Sequence, residues 1–448
     1  MELRDRRVLV VGWGRSGRAA ADLLLSKGAK VSITDSKKAE LLPDLLRFAE
    51  ERGVQLWLGA HPEAAFQNID LIVLSPGVPP LEEVHKARAR GVLVWSEVEL
   101  AFRFIKARLI GVTGSNGKST VTTLIGQMLM RSGKPTFVGG NLGDPLCLSV
   151  NSEANTEEGV IVAELSSFQL EAIDSLRCHV ALLLNLTENH LDRHHTFASY
   201  AAAKARIFHN QKAQDHALIP WGDPLVEAMA RVGKGMVHFF GGNGGEVRVD
   251  GDEVVDCESG FRFGLGEVRL SGRHNHENVC AALLAARLLG ASTDGMAQAI
   301  REFRPLPHRL HLVREVGGVR FYNDSKATNV GASVAAIESL KGLVQRVVLI
   351  AGGVDKGGSY APLRAAMEQW GRALVLIGQA APQIASAFSG SSVPFVFAPG
   401  MGEAVSIARA LAQPGDAVLL APACSSFDMF PSYAARGEAF EQAVFSLE

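Results

Sequence analysis

The chain has 448 residues, of which 47% are hydrophobic and 21% are charged, so it can bury a core and does not have the composition of a disordered protein. At about 150 residues per domain this length predicts three domains, although two or four are also compatible with it. Lys and Arg total 45 and Asp and Glu total 47, which leaves a net charge of -2 and no strong field for the phosphates of a long nucleic acid. A nucleic-acid partner is therefore not expected.

The cysteines and the apolar segments bear on where the protein works. The chain has five cysteines without a close C-x-x-C pair, an arrangement that predicts reduced thiols. The apolar run at residues 8–11 is too short for a signal peptide. The longest uncharged span, residues 373–402, is interrupted by Gly, Pro and Ser, so it lacks the roughly 20 continuous apolar residues of a membrane span. We therefore expect a cytoplasmic protein with no membrane-crossing segment.

Short apolar runs separated by helix-like stretches indicate three α/β blocks. The first block has the pattern of a Rossmann-like parallel sheet. Its predicted strands are residues 7–11, 30–34, 70–74 and 92–95. Those of the second are residues 108–112, 159–163 and 179–184, with a hairpin at Asp250-Gly251. Those of the third are residues 346–351, 373–377, 394–398 and 417–420. The blocks are divided near residues 97 and 304, the second division close to Pro305 and Pro307.

The first chemical signal is a glycine pattern, Gly12-x-Gly14-x-x-Gly17, between the first strand and a helix-like run. Such glycines permit a tight turn and a close approach of the backbone to a phosphate at a helix N-terminus. Asp35 ends the next strand, where a carboxylate accepts hydrogen bonds from ribose hydroxyls, and Ser75-Pro76-Gly77 follows another strand at the same sheet edge. NAD and a UDP-sugar both fit this pattern, and the glycines alone are also compatible with a simple packed turn.

The strongest signal is Gly-Val-Thr-Gly-Ser-Asn-Gly-Lys-Ser-Thr at residues 111–120, between an apolar strand and a helix-like segment. Backbone N–H groups of such a turn bind phosphate, Lys118 adds charge for the β- and γ-phosphates, and the Ser119 hydroxyl is a ligand for Mg²⁺. Val112 stands where the strict Walker pattern has Gly, so this is a variant phosphate loop. The competing interpretation is an ordinary glycine-rich turn with an exposed lysine.

Two further strand ends carry candidate metal ligands. The predicted strand at residues 159–163 is followed by Glu164, which resembles a Walker B acid, and His190 follows another strand. Both are expected to face one Mg²⁺ site, although a single His in this position is more often a loop residue. The neighbouring His194 and His195 lack the spacing of zinc ligands and are predicted to be exposed to solvent.

Together these motifs resemble the Mur ligase family. The residues that carry the resemblance are the phosphate loop, 164–171 (Glu-Leu-Ser-Ser-Phe-Gln-Leu-Glu), 185–192 (Asn-Leu-Thr-Glu-Asn-His-Leu-Asp), Gly139-Gly140-Asn141, 271–278, Pro307-His308-Arg309, 323–329 and 422–426. The resemblance implies an α/β protein of three domains: a Rossmann-like domain for a UDP-linked substrate at residues 1–97, a central P-loop ATPase-like domain at 98–304, and a Rossmann-like amino-acid-binding domain at 305–448.

The reaction implied by the resemblance is the ATP-dependent addition of D-glutamate to UDP-N-acetylmuramoyl-L-alanine through an acyl phosphate, in the synthesis of peptidoglycan precursors. ATP and Mg²⁺, at two sites, are the implied cofactors, and a monomer is expected. Catalytic roles fall to Lys118, Glu164, His190 and Lys204. The metal ligands implied are Ser119, Glu164, His190 and Lys204, the last as a carbamate. From the residues alone, Lys204 would be a solvent-exposed cation.

The resemblance also assigns two sets of binding residues. Those for ATP are Gly114, Ser115, Asn116, Gly117, Lys118, Ser119, Thr120, Asn278, Arg309, Asp324 and Lys326. Those for the other substrates are Ser16, Asp35, Ser36, Gly77, Asn141, His190, Thr328, Lys356, Ser426 and Tyr433. Ser36 and Lys37 replace a Thr-Arg pair that the resemblance leads us to expect at the uracil end of the substrate, and Tyr433 replaces an expected Phe. Each of these assignments has a structural alternative. Arg309 could form an inter-domain salt bridge, and residues 323–325 could cap the next helix. Lys356 could lie in a flexible surface turn.

Other function classes fit part of the sequence. An NAD-dependent dehydrogenase would use the first block and turn over reduced nicotinamide. A nucleotide switch would bind ATP without releasing phosphate in response to acceptor substrates. A Mur-type ligase with another amino acid would share all of the motifs.

Overall fold

The computed structural model describes residues 2–268 and 272–447, so Ser271, the first residue of one motif, lies outside the described residues. Within them, 20 strands form three sheets of five, nine and six strands, one for each predicted block. This confirms the predicted α/β class with three domains. None of the helices in this part of the chain is long and apolar enough to cross a membrane.

The first sheet is parallel and has the strand order β3-β2-β1-β4-β5. Its strands are β1 (Arg7–Val11), β2 (Lys30–Asp35), β3 (Gln55–Leu58), β4 (Leu71–Leu74) and β5 (Leu93–Ser96). The helices of this block are α1 (Arg15–Ser26), α2 (Pro43–Arg52), α3 (Glu82–Ala89) and α4 (Glu97–Phe102). Strand β1 is buried on both faces from its second residue onward, which explains its uninterrupted apolar sequence.

The second sheet has the order β14-β13-β12-β11-β10-β9-β6-β8-β7, parallel except at β13 and β14. Its strands are β6 (Arg108–Thr113), β7 (Thr136–Gly140), β8 (Val160–Glu164), β9 (Val180–Leu183), β10 (His216–Pro220), β11 (Met236–Phe240), β12 (Val247–Asp250), β13 (Glu253–Asp256) and β14 (Arg262–Gly264). Its helices are α5 (Lys118–Arg131), α6 (Ser167–Leu170), α7 (Leu191–His194), α8 (Phe197–Ala205), α9 (Pro224–Ala230), α10 (Arg273–Leu288) and α11 (Thr293–Glu302).

The third sheet has the order β15-β16-β20-β17-β18-β19 and is parallel except for its first strand. Its strands are β15 (His311–Val316), β16 (Val319–Asn323), β17 (Val347–Gly352), β18 (Gly371–Ile377), β19 (Phe395–Phe397) and β20 (Ala417–Leu420). Its helices are α12 (Val330–Ser339), α13 (Ala361–Trp370), α14 (Ala381–Ala387), α15 (Met401–Leu411) and α16 (Tyr433–Phe445). Short 3-10 turns lie at Ala39–Leu41, Glu63–Phe66, Leu146–Asn151, Arg206–Phe208 and Leu265–Glu267.

Every strand predicted from the sequence is present, with ends that differ by at most two residues. The hairpin at residues 250–251 is confirmed, because Asp250 pairs with Glu253 across an antiparallel turn. Seven strands were not predicted: β3, β7, β10, β11, β14, β15 and β16. Several of these contain Gly, Pro or polar residues, so their apolar runs are too short to stand out.

Helix α4 joins the first sheet to the second through the buried carboxylate of Glu99. Its oxygens accept hydrogen bonds from the backbone N–H groups of Asp174, Ser175 and Leu176 at 2.9–3.0 Å. They also accept from Arg103 Nε at 2.7 Å. The predicted division between residues 97 and 98 falls at the start of this helix.

Replacing Glu99 with Ala should lower the free energy of unfolding by about 3–5 kcal/mol, because three backbone N–H groups, of which that of Leu176 is buried, and the Arg103 guanidinium lose a buried acceptor. Urea unfolding followed by circular dichroism measures this change. Glu157→Ala, at an exposed carboxylate, is the matched control. Equal unfolding midpoints for the two variants would contradict the role given to Glu99.

Candidate active site

The turn between β6 and α5 forms the predicted phosphate loop. Gly117 has a φ of 83°, and a Cβ there would lie 2.4 Å from Asn278 Oδ1, so this position requires glycine. Lys118 begins α5, and its Nζ donates to the carbonyl oxygens of Gly114 at 2.8 Å and Ser115 at 3.0 Å. The N-terminus of α5 and the Lys118 ammonium therefore meet at one turn, which is an anion-binding arrangement.

Glu164 ends β8 next to this loop and is 3% exposed. Its Oε1 accepts a hydrogen bond of 2.6 Å from Asn141 Nδ2, whereas its buried Oε2 has no hydrogen-bond partner. Burial alone would raise the pKa of Glu164, but the charge of Lys118, the nearby Ser119 hydroxyl and the Asn141 amide lower it below its usual value. An ionised carboxylate with a free buried oxygen is a suitable ligand for a hard cation.

No group of three or more His, Cys, Asp or Glu side chains within residues 2–268 and 272–447 has the spacing of a metal site. Mg²⁺ does not require one, because it is usually held by one or two carboxylates, substrate phosphates and water. Ser119 follows Lys118 on α5 and is buried in the same cavity as Glu164. The donors present therefore fit a magnesium ion that binds together with a nucleotide.

Lys204 is buried on α8 and is 2% exposed, so the interpretation as a solvent-exposed cation is wrong. Its Nζ donates to Gly114 O at 2.9 Å and Thr113 Oγ1 at 3.2 Å. Burial and the nearby Lys118 charge hold the pKa of Lys204 well below its ordinary value, with Glu164 opposing. The uncharged amine thus favoured is the form of lysine that reacts with carbon dioxide.

His190 lies at the start of α7 in the left-handed conformation, with a φ of 57°. The centre of its ring is 4.8 Å from the centre of the Phe168 ring, edge to face. Burial, together with the charges of Lys356 and Lys118, lowers the pKa of His190 to about 2. A neutral imidazole in this cavity is able to coordinate a metal ion or accept a hydrogen bond.

The prediction that His194 is exposed is wrong, whereas His195 is exposed as predicted. His194 is 6% exposed, and its Nε2 is 2.9 Å from Ser167 Oγ. Its pKa is lowered by burial and by Arg193 and Lys204, against the raising effect of Glu171. This burial was not predictable from the local sequence, because His194 contacts Ser167 of α6, which lies 27 residues away along the chain.

The third domain faces the phosphate loop across a cavity of about 370 Å³, which we call the reaction cavity. Of the predicted site residues, those that line it are Ser115, Asn116, Gly117, Lys118, Ser119, Asn141, Glu164, His190, Lys204, Arg309, Lys326, Thr328, Lys356, Ser426 and Tyr433. Lys356 Nζ donates to Thr328 Oγ1 at 3.3 Å. Lys326 Nζ lies 3.9 Å from the centre of the Tyr433 ring.

Two cations from the third domain are strongly affected by this environment. Burial and the neighbouring Arg309 charge lower the pKa of Lys326 to about 8. Burial also lowers the pKa of Lys356 to about 8, with Lys118 adding to the effect and Asp192 opposing it. An anion that binds next to either lysine would therefore stabilise its charged form.

A second, smaller cavity of about 90 Å³ adjoins the first. It is lined by Asn278 from α10, Asp324 after β16, and Thr120 of α5. Burial raises the pKa of Asp324 to about 7 against the opposing charge of Arg309. The alternative that residues 323–325 cap the next helix is wrong, because Asn329 caps α12 by accepting from Ala332 N at 2.8 Å.

The predicted residues of the first domain line a separate cavity of about 410 Å³. They are Ser16, Asp35, Ser36 and Gly77. Asp35 Oδ2 accepts from Trp13 N at 2.6 Å and Oδ1 accepts from Lys37 N at 2.8 Å, so this carboxylate also orders the glycine turn. A Cβ at Gly17 would lie 2.0 Å from Gly12 O, which explains the third glycine of the pattern.

Three residues that hydrogen-bond to the phosphate loop were not predicted as site residues. Asn185 Oδ1 accepts from Asn116 N at 2.9 Å, and Asn329 Nδ2 donates to Asn116 Oδ1 at 3.1 Å. The Tyr200 hydroxyl is 3.0 Å from Ser115 Oγ. Tyr200 and Lys204 are one helical turn apart, so both lie on one face of α8. This spacing was the signal from which the position of Tyr200 near Lys204 could have been predicted.

Three family models match the chain. Residues 6–96 match the Mur ligase MurD-like N-terminal domain, 112–286 match the Mur ligase middle domain, and 308–424 match the Mur ligase glutamate ligase domain. Solved structures are similar over nearly the whole length. Examples are the UDP-N-acetylmuramate-alanine ligase MurC and the MurF ligase in complex with ADP, both of Thermotoga maritima.

The MurC structure has a TM-score of 0.62 and 17% identity, with 98% of this chain and 99% of that chain covered. The MurF structure has a TM-score of 0.62 and 19% identity, with 99% of this chain and 96% of that chain covered. At these identities the likeness shows the fold alone.

Curated relatives are much more similar in sequence. A UDP-N-acetylmuramoylalanine–D-glutamate ligase of Solibacter usitatus is 46% identical, with 100% of this chain and 99% of the relative covered. One of Desulfitobacterium hafniense is 45% identical, with 99% and 98% covered. The chain therefore belongs to the Mur ligase family.

Proposed function

We propose that the chain joins D-glutamate to UDP-N-acetylmuramoyl-L-alanine through an amide bond, with ATP converted to ADP and phosphate, in peptidoglycan precursor synthesis. The observation that carries the proposal is the reaction cavity, where the phosphate loop faces Lys356 and Thr328 of the third domain. The full-length identity of 46% to a UDP-N-acetylmuramoylalanine–D-glutamate ligase supports it. Family membership favours this ligase over a dehydrogenase or a nucleotide switch.

In the first step, an oxygen of the acceptor's terminal carboxylate attacks the γ-phosphorus, and the bond to the β-phosphate oxygen breaks. This gives an acyl phosphate and ADP. The barrier arises from bringing two anions together, so cations at the reacting atoms are the main requirement. Lys118 of the second domain and Arg309 of the third domain both line the reaction cavity and supply this charge. To reach the phosphates, Lys118 exchanges its hydrogen bonds to the Gly114 and Ser115 carbonyls for phosphate oxygens.

In the second step, the amine of D-glutamate attacks the acyl carbon, phosphate leaves, and the nitrogen loses a proton. Lys356, Thr328, Ser426 and Tyr433 hold the amino acid in this proposal, because they line the third-domain side of the reaction cavity. Lys356 provides a positive charge that pairs with a carboxylate of D-glutamate. Positioning the amine against the acyl carbon supplies much of the rate enhancement.

Glu164, Ser119, His190 and a carbamylated Lys204 would hold magnesium at two sites. Bound Mg²⁺ neutralises phosphate charge during transfer. The unpartnered Glu164 Oε2, the neutral His190 ring and the lowered pKa of Lys204 support this assignment. A carbamate also removes the repulsion that an ammonium at residue 204 would exert on a metal ion.

The remaining contacts follow from the two other cavities. In this proposal the nucleotide contacts Asn278, Asp324, Lys326 and Thr120, which line the smaller cavity beside the phosphate loop, and Asn278 binds the adenine. The proposal assigns the UDP part of the acceptor to Ser16, Asp35, Ser36 and Gly77, which line the cavity of the first domain, and its muramoyl part to Asn141 in the reaction cavity. We place the domains at residues 1–97, 98–304 and 305–448 and expect a monomer that acts in the cytoplasm, where ATP and UDP-linked precursors are available.

ADP release should require both UDP-N-acetylmuramoyl-L-alanine and D-glutamate, and Lys118→Ala should abolish it because the transferred phosphoryl group loses its cation. A coupled assay for ADP measures this. Lys212→Ala, at an exposed lysine, is the matched control and should retain activity. Equal stimulation by L-glutamate, or by no amino acid, would contradict the proposal.

The lysine carbamate should be visible directly. In protein equilibrated with ¹³C-bicarbonate, the wild type should give a carbamate signal in the ¹³C NMR spectrum, and Lys204→Arg should lose it because a guanidinium does not form a carbamate. Lys212→Arg should keep the signal. A spectrum that is identical for wild type and Lys204→Arg would refute the modification.

Binding of glutarate, a dicarboxylate without an amine, should depend on the charge of Lys356. The lowered pKa means that this lysine is charged below about pH 8 and neutral above it. The inhibition constant of glutarate should therefore rise above pH 8, by up to about tenfold per pH unit. Lys356→Arg should flatten the profile, because arginine stays charged. A wild-type inhibition constant that does not change between about pH 7 and 9 would exclude an ion pair between Lys356 and a carboxylate of glutarate.

A further inference from the structure

Ser167 has no role in the function proposed above, yet it lines the reaction cavity. It is the first residue of α6 and is 3% exposed. Its Oγ lies 2.9 Å from His194 Nε2. A buried hydroxyl that reaches both a histidine and the cavity is in position to contact a substrate.

The His194 ring is held on several sides. Its Nδ1 lies 3.2 Å from Glu171 Oε1. The ring stacks on Phe168, with 5.6 Å between ring centres, and meets Tyr200 edge to face at 5.3 Å. These contacts fix the plane of the ring, so Nε2 keeps its direction toward Ser167.

Glu171 is itself anchored from the other side. Its Oε2 accepts a hydrogen bond of 2.9 Å from Arg193 Nη2. Arg193 Nη1 donates to the carbonyl oxygen of Val78 in the first domain at 2.7 Å, and its guanidinium carbon lies 4.3 Å from the centre of the Phe168 ring. A series of hydrogen bonds and ion pairs therefore connects the first domain to Ser167 through Arg193, Glu171 and His194.

This series of contacts determines the direction of the Ser167 hydroxyl. An ionised carboxylate only accepts hydrogen bonds, so Glu171 favours the neutral His194 tautomer with its proton on Nδ1. Nε2 is then an acceptor, and the Ser167 O–H donates to it. The lone pairs of Ser167 Oγ are left as acceptors for a donor in the reaction cavity.

We propose that Ser167 is a further substrate-binding residue, whose Oγ accepts a hydrogen bond from a substrate N–H and is oriented by His194. The inference rests on the proposed function, because two N–H donors of its substrates enter the reaction cavity: the amine of D-glutamate and the amide of the alanine in the acceptor. His194 and Glu171 are positioning residues. They act through the direction of the Ser167 hydroxyl.

The test compares Ser167→Ala with Ser167→Thr, which keeps a hydroxyl, in two assays. The first is ligation with D-glutamate. The second traps the acyl phosphate with hydroxylamine, which is an unprotonated nucleophile at neutral pH, so that no amino acid is needed. The Michaelis constants of ATP, acceptor and D-glutamate are measured for each enzyme.

Ser167→Ala should raise one Michaelis constant by about tenfold, the effect of one lost hydrogen bond, and leave that of ATP within about twofold. A rise for D-glutamate with unchanged hydroxamate formation assigns the bond to the amine. A rise for the acceptor in both assays assigns it to the alanine amide. Ser167→Thr should recover most of the loss. Unchanged constants for both substrates, or an equal rise for ATP, would overturn the proposal.

His194→Asn tests the orienting role, with His195→Asn as the matched control at an exposed residue. His194→Asn should raise the same Michaelis constant as Ser167→Ala, and the double variant should show no further rise, because His194 acts through Ser167. Additive effects of the two substitutions would overturn that role. A wild-type enzyme that forms no hydroxamate with acceptor and ATP would instead overturn the proposed function on which the inference rests.

Discussion

The arrangement of the active site follows from an excess of positive charge in a confined space. Among the described residues that line the reaction cavity, five have basic side chains and one is a carboxylate. They are Lys118, Lys204, Arg309, Lys326, Lys356 and Glu164. Burial and mutual repulsion lower the pKa values of the lysines. Binding of a polyanion therefore reduces the electrostatic repulsion that destabilises the folded protein. The net charge of the whole chain is only -2, which shows that this field is local.

The three domains contribute different parts of this site. The second domain supplies the phosphate loop and the residues proposed as metal ligands, and the third supplies Arg309, Lys326 and Lys356. Asn329 Nδ2 donates to Asn116 Oδ1 at 3.1 Å, and Leu191 N donates to Lys356 O at 3.0 Å, so the two domains meet at the rim of the cavity. The first domain has its own cavity, and in our account the acceptor extends from there to Glu164. The contact between Arg193 and Val78 links that domain to the reaction cavity.

The sequence predicts much of this because parallel strands bring their carboxyl ends to one edge. Glu164 and Lys118 each lie next to such an end, and the glycine spacing of the phosphate loop requires a particular backbone. The burial of Lys204 was not predictable from its own segment, since it depends on contacts with Gly114, which lies 90 residues away. The same holds for His194 and Asn329. Strands such as β7 and β10, which contain Gly or Pro, were missed because tertiary packing outweighs their weak local preference.

In the proposed reaction, the reaction cavity brings a carboxylate oxygen of the acceptor to the γ-phosphorus of ATP. The most direct measurement uses UDP-N-acetylmuramoyl-L-alanine labelled with ¹⁸O in its terminal carboxylate and mass analysis of the phosphate released during ligation. Attack by the carboxylate, followed by displacement by the amine, leaves one carboxylate oxygen on the phosphate. One labelled oxygen should be transferred to phosphate per turnover when both carboxylate oxygens are labelled. Release of phosphate that carries no label would contradict it.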